Sequence, residues 1–171
     1  MPNSENLKFE PLQPSHNRKG FSCGEPSLDR YLKELASQDQ SRHSAAIYVL
    51  AKGTEIVGYY SLSASAVPRN LLSPELMKKM PRYEALPFYI LGRLAVDQRY
   101  KGQGFGSALL KDALVRSLAQ TKQVGAVGVV VDALNENVYQ FYQRHQFTAL
   151  PDMPNRLVIS MNRIHQAYAL R

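Results

Sequence analysis

The stretch LGRLAVDQRYKGQGFGSALL, residues 91–110, constrains this chain more than any other. An apolar run ending near Val96 and Asp97 leads into Gly102, Gly104 and Gly106 at alternate positions, and then directly into an apolar helical pattern. A backbone can wrap an anion only if its N–H groups converge and no Cβ intervenes, and glycine meets both conditions. The helix that follows adds unpaired N–H groups and the positive end of its dipole. The loop therefore reads as a cradle for a phosphate or pyrophosphate, or as a tight strand-to-helix turn. It is not an NTPase loop, because no Gly-Lys-Ser/Thr ending is present. The dinucleotide fingerprint also fits poorly, since its third glycine and its acidic partner are misplaced.

The rest of the chain supplies elements to place around this unit. LKFEPL reads as a strand or extended arm. GEPSLDRYLKELASQDQ reads as a helix, with Leu28, Tyr31, Leu32 and Leu35 at helical spacing and Ser27 as its cap. AAIYVLAK and EIVGYYSLSASAV form a hairpin across Gly53-Thr54. SPELMKKM predicts a short helix capped by Ser73 with Pro74 at its first position. Pro81 and Pro87 bracket a loop. FYILGRLAVD and AVGVVVDAL predict buried strands, residues 104–121 a helix, NENVYQFYQRHQF a shorter helix, and RLVISMNRI a last strand. That order predicts a single mixed α/β domain over residues 1–171, built around one central sheet.

Charge and cysteine content narrow the chemistry. The 171 residues carry 21 Lys+Arg against 14 Asp+Glu, a formal net charge of +7. That balance fits an anionic partner such as nucleic acid or a phosphorylated molecule, or else simple solubility. Cys23 is the single cysteine, which excludes an internal disulfide. It reads as a small buried hydrophobe rather than a nucleophile. The four histidines lie far apart, so no metal site is expected. The N-terminal stretch has no leader pattern, and no apolar segment approaches membrane-spanning length, so the expected location is cytoplasmic.

LGRLAVDQRYKGQGFGSALL resembles motif A of the GNAT acetyltransferases, with Lys101 where Gln or Arg is usual. VVVDALNENVYQFYQRHQF is similar to motif B, with Gln146 where glycine is common. The resemblance implies a central sheet with flanking helices, a splayed central strand, and acetyl-CoA as co-substrate. The pantetheine arm would lie along Leu94, Ala95 and Val96. The pyrophosphate would sit on Lys101, Gly102, Gln103, Gly104, Phe105, Gly106 and Ser107. Asn135 or Asn137 would stand near the start of the motif B helix and contribute to the cofactor site. Tyr142 falls on the family's acid position. As one of ten tyrosines it reads as a packing residue; the motif context makes it the catalytic acid.

Acyl transfer from a thioester to an amine requires a neutral amine, a polarised carbonyl and a protonated leaving thiolate. A tyrosine of ordinary pKa, about 10, stays protonated at neutral pH and can supply that proton. The backbone N–H of Val96 or a neighbour would polarise the carbonyl. Asp132 and Glu136 are the nearest carboxylates in sequence, and neither reads as an obvious base. An α-amine, with a pKa of about 8, needs less help than a lysine ε-amine at about 10.4.

FSCGEPSLDRYLK, YYSLSASAV, MPRYEALPFYILGRLAVD and VVDALNENVYQFY together resemble the GNAT toxins of toxin–antitoxin modules. That resemblance runs from about Phe21 to Val158. It implies acetylation of the α-amino group of aminoacyl-tRNA, inhibition of translation, neutralisation by a ribbon-helix-helix antitoxin, and a homodimer. The alternative is a GNAT enzyme of a small-molecule or protein amine. For a tRNA substrate the candidate cations are Arg93, Lys33, Arg42, Lys78, Lys79 and Arg82. Arg93 stands out because it immediately precedes the pantetheine-binding residues.

Overall fold

A computed structural model describes residues 6–169. Residues 1–5, part of the stretch read above for a leader, lie outside it. The elements in order are β1 (Leu7–Pro11), α1 (Pro26–Arg30), a π-helical turn (Tyr31–Leu35), α2 (Ala36–Ser41), β2 (Ala46–Lys52), β3 (Glu55–Pro68), α3 (Pro74–Lys78), β4 (Ala85–Val96), α4 (Phe105–Gln120), β5 (Gly128–Asp132), α5 (Glu136–Arg144), β6 (Thr148–Leu150), β7 (Met153–Ser160) and α6 (Met161–Ile164). Short 3-10 turns cover Arg69–Leu71 and Gln98–Tyr100. The sheet is mixed, in the order β1-β2-β3-β4-β5-β7-β6. The expected mixed α/β architecture is therefore present.

The chain divides into two compact units. One comprises the chain up to Ser63 together with Gly92–Ala113; the other comprises Ala64–Leu91 with Leu114 onward. In the first, β1 pairs antiparallel with β2, and β2 with β3. Its core gathers Phe21, Tyr31, Leu32, Ile47, Val49, Ile56, Tyr59 and Ala95. Phe21 meets Tyr59 edge-on at 5.6 Å between ring centroids. Each such large side chain contributes about 1.5–3 kcal/mol by leaving water. A Cβ on Gly58 would lie 2.5 Å from Leu109 Cδ1 and 2.7 Å from the Ala95 carbonyl oxygen. Only glycine lets β3 approach α4 and the end of β4 so closely.

In the second unit β4 pairs in parallel with β5, and β7 lies antiparallel between β5 and β6. The β4–β5 ladder joins Phe88, Tyr89 and Ile90 to Gly128, Val129 and Val130. It ends there while β4 continues to Val96, as a splayed central strand requires. The core of this unit holds Val67, Leu72, Leu86, Phe88, Val130, Leu150 and Val158.

Several local expectations are corrected. Ser27 is not a cap: it stands inside α1, Glu25 is the flanking residue, and Pro26 opens the helix. Leu35, expected on the buried face, is 41% exposed, whereas Ala36 is fully buried. The cause is the π turn, closed by the Ala36 amide donating to the Tyr31 carbonyl, whose extra residue rotates the following face. Pro87 lies within β4 rather than closing a loop; Leu86 and Phe88 are buried on either side of it while Pro87 faces outward near the strand start. The MNRI part of the last predicted strand is helical, because the Ser160 hydroxyl caps α6 by accepting from the Arg163 amide at 3.1 Å. The three-residue strand β6 carries no periodic signal in the sequence. The Ser73 cap and Pro74 start of α3 are as expected.

Candidate active site

The strand–loop–helix unit takes its shape from one buried carboxylate. Asp97 directly follows β4 and is 1% exposed. One of its oxygens accepts from the Arg99 amide at 2.9 Å, capping the 3-10 turn, and the other accepts from the Ser22 amide at 3.1 Å. The Arg99 guanidinium donates to both oxygens, at 2.9 and 3.1 Å. Burial pushes the Asp97 carboxyl up, but the hydrogen bonds from Arg99 and Ser22 outweigh it and hold the group below its ordinary value. Arg99 also pairs with Glu55 at 2.8 Å, and the Tyr100 hydroxyl donates to the same Glu55 carboxylate at 2.9 Å. Beyond this clamp the chain enters the loop in a fixed direction.

Gly102 and Gly104 have φ of +78° and +83°. For an L-residue this left-handed region is disfavoured by about 1–2 kcal/mol. A Cβ built on either would meet nothing within 4 Å. The glycines are thus required by backbone conformation, and the space beside them is open. Phe105, Gly106 and Ser107 form the first turn of the 16-residue α4, where amides lack intrahelical partners. The Phe105 ring packs edge-on against Tyr100 at 6.0 Å. This arrangement fits a diphosphate: left-handed glycines, a helix N-terminus and open space beside the glycines. Gln103 is exposed on the loop. Lys101 lies at its entry, but its ammonium donates to the Cys23 carbonyl at 2.6 Å. That contact ties the loop to the 21–24 segment and takes up one of its three donors.

Leu94 and Val96 are half-buried on β4 and Ala95 is buried. Arg93, just before them, stacks its guanidinium on the Tyr31 ring at 3.5 Å from the centroid. The Tyr31 hydroxyl in turn donates to Asp39 at 2.5 Å. Burial, reinforced by that hydrogen bond, pushes the Tyr31 hydroxyl up to about 12. Stacking fixes the guanidinium plane and leaves its N–H edges without a hydrogen-bond partner among the described residues. Lys33 is exposed on the π turn and Arg42 at the end of α2. Cys23 is buried, and burial with the Asp29 interaction pushes its thiol up to about 11, which keeps it un-ionised and non-nucleophilic.

In the second unit Tyr142 is 5% exposed on α5. Its ring meets Phe141 at 5.3 Å and Phe147 at 5.2 Å. Burial pushes its hydroxyl well above the ordinary tyrosine value. The hydroxyl makes no hydrogen bond among the described residues, so its proton is uncommitted. Asn135 is the α5 cap, its side-chain oxygen accepting from the Val138 amide at 3.0 Å. Asn137 is exposed in the first turn. Asp132 is held by both nitrogens of the Arg156 fork, at 2.8 and 2.9 Å, and Glu136 accepts from Gln140 at 3.3 Å. Both carboxylates thus have structural partners. Gln146 has φ of +72°, the conformation that glycine prefers. Lys78, Lys79 and Arg82 are exposed on α3 and the segment after it. The Asp97 clamp and the Arg93–Tyr31 stack went unread in the sequence. An Asp ending an apolar strand before a polar turn is the cap signal that locates the first.

The sequence signature of the Acetyltransferase (GNAT) family matches residues 11–147. The chain belongs to that family. It is 33% identical over 141 residues to a tRNA-acetylating toxin of Mycobacterium tuberculosis (strain ATCC 25618 / H37Rv), covering 82% of this chain and 84% of the relative. Among solved structures it is similar to a tyrosine-to-phenylalanine mutant of KacT, with TM-score 0.89 and 34% identity over 95% of this chain and 99% of that one. It is also similar to AtaT complexed with acetyl-methionyl-tRNAfMet, with TM-score 0.86 and 30% identity over 94% and 98%. AtaT has further been solved, as a tyrosine-to-phenylalanine mutant, with acetyl-CoA and the C-terminus of the antitoxin AtaR.

Proposed function

We propose that this protein transfers acetyl from acetyl-CoA to the α-amino group of an aminoacyl-tRNA, as the toxin of a toxin–antitoxin module that blocks translation. The observation that carries the reading is the open cradle at Gly102 and Gly104 ahead of α4, in a chain that resembles tRNA-acetylating toxins over most of its length. Acetyl-CoA supplies the thioester. Gly102 to Ser107 hold its diphosphate through backbone amides, and the backbone of Leu94, Ala95 and Val96 pairs with the pantetheine arm. An N–H at the end of β4 polarises the carbonyl; the Asp97 amide is not that donor, because it is bonded to the Val57 carbonyl at 2.8 Å.

Tyr142 donates its proton to the departing thiolate. Burial keeps that proton on the phenol across the neutral range, so the acid is present over the interval in which the amine becomes neutral. Asp132 is ion-paired with Arg156 and Glu136 accepts from Gln140, so neither carboxylate is set up as a dedicated base. That supports an acceptor which deprotonates unaided, and the α-amine of an aminoacyl ester is one. Arg93 and the cations Lys33, Arg42, Lys78, Lys79 and Arg82 provide salt-dependent attraction for the polyanion. No helix among the described residues is long and apolar enough to cross a membrane. The proposed substrate, charged tRNA, is what places the activity in the cytoplasm. A ribbon-helix-helix antitoxin and a homodimer complete the reading.

Labelled acetyl-CoA offered together with charged tRNA, a polyamine and a lysine-rich protein tests it. Label on the aminoacyl ester is the expected result; label confined to the polyamine or lysines overturns the tRNA assignment.

A further inference from the structure

Tyr83 is the most exposed large apolar side chain among the described residues, at 68%. It makes no hydrogen bond or ring contact there. Packing therefore does not explain it, yet the backbone that carries it is firmly held. The Arg69 amide donates to the Glu84 carbonyl at 2.8 Å. The Arg69 guanidinium donates to the Pro81 carbonyl at 3.1 Å and the Met77 carbonyl at 2.8 Å. One arginine thus staples residues 77, 81 and 84 and fixes the turn that displays Arg82 and Tyr83. Beside the ring lies an open hollow of about 560 Å³ lined by Pro68, Arg69, Asn70, Arg82, Tyr83 and Glu84. Residues 69–84 carry Arg69, Lys78, Lys79 and Arg82 against Glu75 and Glu84.

We propose that Tyr83 is a stacking platform for an unpaired nucleotide of the RNA substrate, with Arg82 on the adjoining phosphate and Asn70 facing the base edge from the hollow. The inference rests on the tRNA reading above and extends it to a base contact. A rigidly displayed aromatic face flanked by cations is the combination that binds single-stranded nucleic acid. An exposed leucine at this position would offer area without a π-face. The excess of cations over acids in the segment favours a polyanion over an acidic-basic protein contact.

Two measurements test it. Transfer is assayed across a range of charged tRNA at saturating acetyl-CoA, and binding of a fluorescein-labelled short single-stranded RNA is followed by anisotropy. Tyr83→Ala should raise KM for charged tRNA, and weaken binding of the RNA probe, about tenfold. Tyr83→Trp should restore both, because it keeps the π-face. The kcat and the affinity for acetyl-CoA should stay within about twofold in each variant. Unchanged KM and probe affinity in Tyr83→Ala overturn the proposal. So does a change in its sedimentation or antitoxin affinity with RNA binding intact, which would make Tyr83 a protein contact. Absence of transfer to charged tRNA by the wild-type enzyme defeats the functional reading alone, while the anisotropy series still decides the role of Tyr83.

Discussion

The glycine loop and the end of α5 contain the same backbone conformation put to different uses. At Gly102 and Gly104 positive φ is occupied by glycine, and a Cβ would meet nothing within 4 Å. At Gln146 a similar φ carries a full side chain, and the turn serves only to end α5 and bring Phe147 beneath Tyr142. The lesson is that left-handed residues alone do not mark a site. On the proposed reading the working groups in the loop are backbone amides, and a side chain there would stand in the ligand's way. In α5 the proposed working group is the Tyr142 phenol, and the backbone only places it.

The comparison breaks first at Tyr142. Tyr142→Phe should lower kcat by on the order of 10²–10⁴ while acetyl-CoA affinity stays within about twofold, read by steady-state transfer and calorimetry. Unchanged turnover would return Tyr142 to a packing role. The loop should behave in the opposite way. Gly104→Val should raise the Kd for acetyl-CoA by at least about tenfold, and also reduce stability by about 1–2 kcal/mol in urea unfolding, since the left-handed strain is added where no contact is gained. A variant that is destabilised but binds normally would make the glycines purely conformational.

Two pH effects sharpen the contrast. The Asp97 carboxyl is held below its ordinary value, so its contribution is present above the unfolded pKa of about 3.9 and is lost as pH falls through the lower folded value. Unfolding at a series of pH values should show Asp97→Asn less stable than wild type at pH 6 and the difference shrinking below about pH 3.9. A pH-independent difference would mean that the carboxylate charge is not what the clamp uses. Tyr142 is shifted up by burial, so transfer should rise as the amine deprotonates near pH 8 and not fall again before pH of about 10. A declining limb in that interval would assign the acid to another group. The smallest effect belongs to Gln146→Gly, which relieves positive φ and should stabilise the protein by about 0.5–1 kcal/mol without altering turnover.

How much of this could be read from the chain differs element by element. The left-handed turn at Gly102 and Gly104 was legible because alternating glycines have few conformational explanations. The β2–β3 hairpin, the Ser73 cap and the long helix after the loop were legible from local periodicity and capping chemistry. The face of the 26–41 helix was not, since a π turn leaves no mark in apolar spacing and moved Leu35 out and Ala36 in. Tyr142 was named only through its motif, because burial and packing against Phe141 and Phe147 depend on residues the fold brings in. Asp97 caps a turn two residues on and is locally legible, but the Arg99–Glu55 pair and the stacking of Arg93 on Tyr31 join positions far apart in sequence. Pairings of that kind have no periodic trace and appear only when the sheet is assembled.

Everything turns on backbone amides gripping a diphosphate. Titration calorimetry comparing acetyl-CoA with S-acetylpantetheine, which keeps the thioester and the arm but lacks the diphosphate and the nucleoside beyond it, tests that grip, with 3′-phosphoadenosine as a competitor to measure what the nucleoside contributes by itself. The account predicts that acetyl-CoA binds at least about a hundredfold more tightly. Equal affinities for the two ligands would contradict it.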